Sequence, residues 1–271
     1  SLVRNCLQQY GCTSVIHFAG SIINPESFDV PLNYYANNTS ASRNLLEACI
    51  AEKIENFIFS SSASVYGEAE FLPIPESAPL RPGSPYGKSK LMTEWMLQDA
   101  AAAYGLTYAA LRYFNVAGAD GRSGQVGPAT HLIKIATETA VGIRDSMSIF
   151  GDDYETPDGT CIRDYIHVCD LADAHVDALE YLVAKEESLL VNCGYGHGYS
   201  VREVIDIVEE IAGKSLGVTI TPRRQGDVSA LVADNAKILK TLPWKPKRDD
   251  LRKIVQSAID WEKLQKKNRA A

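Results

Sequence analysis

No stretch of this chain is apolar for the ~18 residues that a membrane-spanning helix needs, so no membrane contact of that kind is expected. No run of lysine and arginine exceeds a few residues and the formal net charge is −7, which argues against nucleic acid as a partner. The basic stretch "KLQKKNR" (263–269) reads as the solvated end of a last helix. The six cysteines (Cys6, Cys12, Cys49, Cys161, Cys169, Cys193) form no C-x-x-C pair, and the five histidines (His17, His131, His167, His175, His197) lack zinc-ligand spacing. No metal is expected. The thiols read as free and buried in a reducing compartment, which suggests the cytoplasm. There is no visible leader, internal repeat or low-complexity linker.

The chain has 271 residues, 45% of them hydrophobic, enough for one large core or two modest ones. "TSVIHFAG" (13–20), "ENFIFSSSASVYG" (55–67) and "LTYAALRYFN" (106–115) contain short apolar runs that predict buried strands. Between them, 31–54 and 86–105 carry helical spacing, the second closed by Gly105. Strand and helix alternate through residue 115, the pattern of a doubly wound parallel sheet. The remainder predicts helices near 128–142, 170–184, 200–213 and 249–266. Short strands are expected near 147–150, 162–167, 189–193 and 217–221, with a loop over 150–160. The expected architecture is α/β: a Rossmann-like domain over 1–115 and a smaller mixed α/β lobe over 116–271, some segments of which return to the main sheet.

"SPYGKSK" (84–90) holds a phenol and an ammonium one helical turn apart. Pro85 suits the first turn of a helix, where its missing N–H costs nothing. Tyr86 and Lys90 then share a face. A cation near a phenol favours its anion, so Lys90 is expected to lower the Tyr86 pKa and make it a general base. Ligands bind at the carboxyl ends of parallel strands, and Ser62 and Tyr86 would both reach that edge.

A Ser, Tyr and Lys converging there resemble the short-chain dehydrogenase/reductase superfamily. "VIHFAG", "YYANN", "FIFSSSASVYG", "SPYGKSK", "LRYFNVAGA", "SIFGDDYETPDGTCIRDYIHVCDLADAH" and "PRRQGD" together resemble the UDP-glucose 4-epimerases, in family order and over nearly the whole chain. Related dehydratases carry Asp-Glu beside the catalytic hydroxyl. Here Ala63 and Ser64 stand there and cannot supply an acid and a base.

The resemblance implies a catalytic set of Ser62, Tyr86 and Lys90 acting with tightly held NAD. It implies cofactor contacts from Phe18, Ala19, Gly20, Asn38 and Phe114 beside that set. Asn115, His131, Leu132, Phe150, Arg163, Arg224, Asp227 and Leu231 fall at UDP-sugar positions, with the arginines gripping the diphosphate. Read without the resemblance, Phe18 is a core residue, Asn38 a polar core residue within a helix, and Arg163–Asp164 a surface ion pair. The family is usually a homodimer, paired through helices that correspond to 31–52 and 85–104.

The chain also departs from the family. "SLVRNCLQQYGCTSVIHFAG" starts beyond the strand, the G-x-x-G-x-x-G turn for the cofactor diphosphate and the acid for the adenine ribose. At about 30 residues per βαβ unit, roughly 60 residues of the pattern are not in the sequence. The expectation is an N-terminally truncated sheet with 13–20 as an exposed apolar edge. Ile22 replaces a frequent lysine. Leu231 replaces a tyrosine that limits room around the sugar 2-substituent, which suggests tolerance of UDP-N-acetylhexosamines. Alternatives are 4-epimerisation of UDP-glucuronate or UDP-xylose, or an inactive fragment that only binds UDP-sugars.

Overall fold

The computed structural model describes residues 2–270. In chain order the elements are α1 (Leu2–Gln9), β1 (Ser14–His17), α2 (Glu26–Asp29), α3 (Pro31–Tyr34), a π-helical turn (Tyr35–Ser40), α4 (Ala41–Ala51), β2 (Asn56–Ser62), α5 (Pro85–Tyr104), β3 (Thr107–Tyr113) and β4 (Asn115–Ala117). They continue as α6 (Leu132–Ala140), β5 (Met147–Phe150), β6 (Ile162–Arg163), β7 (Tyr165–His167), α7 (Val168–Lys185), β8 (Leu189–Cys193), β9 (Tyr199–Ser200), α8 (Val201–Ala212), β10 (Val218–Thr221), β11 (Ala230–Leu231), α9 (Ala236–Thr241) and α10 (Leu251–Ala270).

Four strands form the main sheet, all parallel, in the order β1-β2-β3-β8. Both faces are covered, which is why β2 and β3 read as continuous apolar runs rather than alternating ones. Phe57, Phe59 and Ala110 point to a core shared with Leu46 and Cys49 of α4 and Leu97 and Ala100 of α5. Ile58, Ala109 and Leu111 point the other way, onto Ala174, Ala178 and Leu182 of α7. β1 lies at the sheet edge, with Ile16 exposed. Small pairings, β10-β5, β11-β6-β9 and β4-β7, arrange the remaining loops beyond the carboxyl ends of the main strands.

Two expectations from sequence need correction here. Cys6 and Cys12 are exposed rather than buried, because both lie on the segment that flanks the sheet edge; Cys169 is partly exposed, and only Cys49, Cys161 and Cys193 are buried. The helix over 31–54 is not uniformly α-helical: a π turn inserts at Asn38.

His17 closes β1 and is buried, its Nε2 2.8 Å from Ser42 Oγ. Burial first, and the Lys90 charge second, push its pKa down to about 4. An unfolded chain binds that proton near the ordinary ~6.5, so between those values the unfolded state holds more protons. The contribution is complete above about pH 6.5 and is lost as pH falls toward 4. Urea unfolding is expected to show a wild-type loss over that window larger by about 3 kcal/mol than in His17→Gln. Equal losses in the two proteins overturn this account.

Candidate active site

The first turn of α5 is set by three local features. Ser84 caps it by accepting from the Gly87 N–H at 3.1 Å, Pro85 follows, and Gly105 at φ 72° ends the helix twenty residues on. Gly87 lets this turn approach the serine loop: a Cβ there would stand 2.5 Å from the Ser64 carbonyl oxygen. On the loop side, Ser62 Oγ accepts from the Ser64 N–H at 3.2 Å, which bends the chain away from β2. Ser62 and Tyr86 thereby line the same cleft.

The electrostatics differ from the sequence expectation. Burial raises the Tyr86 pKa, and the nearby Ser62 hydroxyl is the opposing influence. Lys90 does not lower it. Its Nζ points to the Ser60 carbonyl oxygen at 2.9 Å and lies 5.9 Å from the Tyr86 ring centre. Burial in turn pushes Lys90 down to about 8. Desolvation disfavours both charged forms, and here it outweighs the pairing that the i, i+4 spacing suggested.

Gly20 lies over Asn38 and Lys90: a Cβ at Gly20 would meet Asn38 Oδ1 at 3.0 Å and Lys90 Nζ at 3.7 Å. The Asn38 amide clasps the backbone of Ser21, accepting from its N–H at 2.7 Å and donating to its carbonyl at 2.9 Å, and donates to Ser89 Oγ at 3.0 Å. Asn38 is therefore a buried polar residue that pins the 18–21 loop to α5. Asn37 adds a bond to Ser21 Oγ at 2.9 Å. Phe18 is 55% exposed and not core, its ring 4.8 Å from that of His175. Ala19 is exposed as well. An open loop cradled by glycine, beside a buried ammonium and a phenol, suits the ribose and nicotinamide side of NAD.

One cleft of about 1060 Å³ gathers Phe18, Ser62, Tyr86, Phe114, Asn115, His131, Leu132, Phe150, Arg163, Arg224, Asp227 and Leu231. Lys90, Asn38, Ala19 and Gly20 are not among the residues that line it. Phe114 is buried, packed with Val65, Tyr66, Ile74 and Leu91 under the serine loop. Arg224 sits 4.5 Å over the Phe150 ring and donates to Asp227 Oδ2 at 2.9 Å. Leu231 is in register with Arg163 across β11 and β6. His131 opens α6, and burial pushes it to about 4, so it is neutral at pH 7. Arg163 forms no ion pair with Asp164. The Asp164 carboxylate is fully buried and accepts from the N–H groups of Tyr195, Gly196 and Ala233.

Tyr113 was not singled out from sequence. It lines the cleft and its hydroxyl pairs with Ser60 Oγ. Its place at the carboxyl end of β3 was the available signal. Among the described residues, no group of three or more His, Cys, Asp and Glu side chains could hold a metal ion, and no helix is long and apolar enough to cross a membrane.

Residues 1–194 match the model of the NAD dependent epimerase/dehydratase family. A UDP-glucose 4-epimerase of Azospirillum brasilense is 55% identical over 97% of this chain and 76% of its own length. Among solved structures, the UDP-glucose 4-epimerase of Bifidobacterium longum, in complex with NAD⁺ and UDP, superimposes with a TM-score of 0.92 at 40% identity, over 99% of this chain and 80% of that one. The UDP-Glc/GlcNAc 4-epimerase of Campylobacter jejuni is 48% identical, with a TM-score of 0.82 over 97% of this chain and 80% of that one.

Proposed function

The chain belongs to the NAD dependent epimerase/dehydratase family, among its UDP-glucose 4-epimerases, and from that membership we infer how its own residues interconvert UDP-glucose and UDP-galactose with bound NAD. The observation that carries the reading is the Ser62–Tyr86 pair opening on a cleft whose far end holds Phe150 under Arg224. NAD, when bound, would supply a reversible hydride acceptor for C4 of the sugar.

In this reading Tyr86 removes the proton from the sugar 4-hydroxyl and later gives it back. Ser62 hydrogen-bonds the 4-oxygen and favours the phenolate. Lys90, anchored on Ser60, holds the cofactor ribose, and Phe18, Ala19, Gly20, Asn38 and Phe114 shape the wall around it. Arg163 and Arg224 hold the diphosphate as planar, bidentate donors. Phe150 and Leu132 flank the uracil, Asp227 takes the ribose hydroxyls, and Asn115 and His131 face the sugar nucleotide. We further place the protein in the cytoplasm as a homodimer. The exposed Leu32 of α3 and Trp95 of α5 support pairing through that side of the molecule.

Leu231 favours a broader sugar range. It is partly buried at the cleft wall, where a tyrosine would reach farther into the space. The purified protein is expected to release NAD on denaturation, to convert UDP-galactose to UDP-glucose, and to turn over UDP-N-acetylglucosamine. Leu231→Tyr is expected to lower the last activity about tenfold or more while sparing the first. UDP binding without conversion by NAD-loaded protein would instead favour a binding protein. Equal effects of Leu231→Tyr on both sugars would remove the specificity argument.

A further inference from the structure

Two consecutive residues at the end of β2 grip α5. Lys90 Nζ donates to the Ser60 carbonyl at 2.9 Å and the Ser61 hydroxyl donates to the Glu94 carboxylate, while Ser62, next along the chain, lines the cleft with Tyr86. Positions 86, 90 and 94 are successive i+4 neighbours, so Tyr86 shares one stripe of the helix with the two anchored residues. Tyr86 and Lys90 belong to the chemistry proposed above. Glu94 does not line the cleft and is 4% exposed.

A carboxylate buried that deeply needs a countercharge. Arg112 of β3 supplies it with a planar fork, Nε to Glu94 Oε1 at 2.9 Å and Nη2 to Oε2 at 2.6 Å. Its remaining arm donates to the Tyr66 hydroxyl at 3.0 Å, which donates to Asn192 Oδ1 at 2.6 Å. Asn192 then donates to the Ile74 carbonyl at 2.7 Å. Ser61, Tyr66, Glu94, Arg112 and Asn192 leave no buried side-chain atom without a partner.

Well-packed apolar side chains commonly stabilise such an interior as well as a buried ion pair or better. Stability alone is a poor reason for this network. Its geometry supplies another. A shift of α5 by one residue would move Tyr86 by about 1.5 Å, and misplacements of about 1 Å can cost on the order of a hundredfold in rate.

We propose that Glu94, held by Arg112, is a positioning residue whose bond from Ser61 fixes the register of α5 on β2 and so sets the Tyr86 hydroxyl against Ser62. The proposal rests on the role given to Tyr86 above.

Ser61→Ala tests it with little risk to the fold, because Glu94 keeps both bonds to Arg112 and stays compensated. Turnover of UDP-galactose is expected to fall about tenfold with KM within about twofold, since the nucleotide contacts lie on other elements. Ser61→Thr, which keeps the hydroxyl, is expected to restore it. A second readout needs no turnover: 3-fluorotyrosine at position 86, followed by its fluorine resonance. That phenol faces Ser62 from the serine loop, Lys90 from its own helix, the Tyr34 ring from α3 and Tyr113 from β3. Ser61→Ala is expected to raise its titration midpoint by about one unit as the phenol moves away from the Ser62 hydroxyl, and Ser61→Thr to return it. An unmoved midpoint overturns the proposal, as does wild-type turnover by Ser61→Ala. If the wild-type protein converts no UDP-sugar, the functional reading falls and the fluorine midpoint alone decides the positioning claim.

Discussion

Tyr86→Phe is expected to lower turnover of UDP-galactose by about a thousandfold and to leave KM within about twofold. The substitution keeps the ring, and with it the edge contact to Tyr34 at 6.4 Å between ring centres. Only the hydroxyl is lost. No neighbour is placed to take over the proton. The Tyr113 hydroxyl is committed to Ser60 Oγ and burial raises its pKa. Lys90 is committed to the Ser60 carbonyl. The check is steady-state conversion of UDP-galactose by both proteins at matched NAD content. A fall of less than tenfold would show that another group carries the proton.

Lys134→Met is expected to cost about 3–5 kcal/mol of stability, a third or more of what a typical domain has. Lys134 is 5% exposed and its ammonium bonds to Glu262 of α10, approaches Glu138 at 3.4 Å, and donates to the Gln125 carbonyl at 3.1 Å. Glu138 has a second cation in Arg144, at 2.6 Å. Among the described residues Glu262 has none: its other oxygen, Oε2, is buried with no hydrogen-bond partner. Without Lys134 it becomes a lone buried charge and must either stay ionised at great cost or take up a proton. The check is the urea midpoint at unchanged slope. Lys134→Met/Glu262→Leu, which removes both charges, is expected to recover most of the loss. A single-variant cost below about 1 kcal/mol would mean that water already screens the pair.

How much of this could be read from the sequence depended on span. β1, β2 and β3 hold short apolar runs, α5 and α7 are long enough to read as helices, and the serine cluster, Tyr86 and Lys90 fell at the ends of those elements; β6 and β7 lie within the strand expected near 162–167. β9 and β11 have two residues each and β4 three, too few for alternation to register. The π turn at Asn38 leaves no compositional mark. The Tyr86 pKa was misjudged because helix spacing places two side chains on one face without saying where the ammonium ends up; the Ser60 carbonyl takes it. Phe18 looked like core because an apolar residue after a buried strand usually is, and its exposure follows from β1 being the sheet edge. Lys134 and Glu262, 128 residues apart in sequence, meet only through the packing of α6 on α10.

β3 ends at Tyr113, yet the strand beside it in the main sheet is β8, which starts at Leu189. The intervening chain builds much of the cleft wall before returning to close the sheet. Leu111 and Val191, partners in register, cannot meet until that whole excursion has been drawn in. Such long-range pairing is slow to form, because loop closure must be met before the contact rewards it. A ribosome that has released the chain only as far as β3 therefore exposes an unfinished sheet flank. The part of the cleft wall that carries Phe150 and Arg163 and the last strand of the sheet are consequently expected to appear together, in one late step of folding.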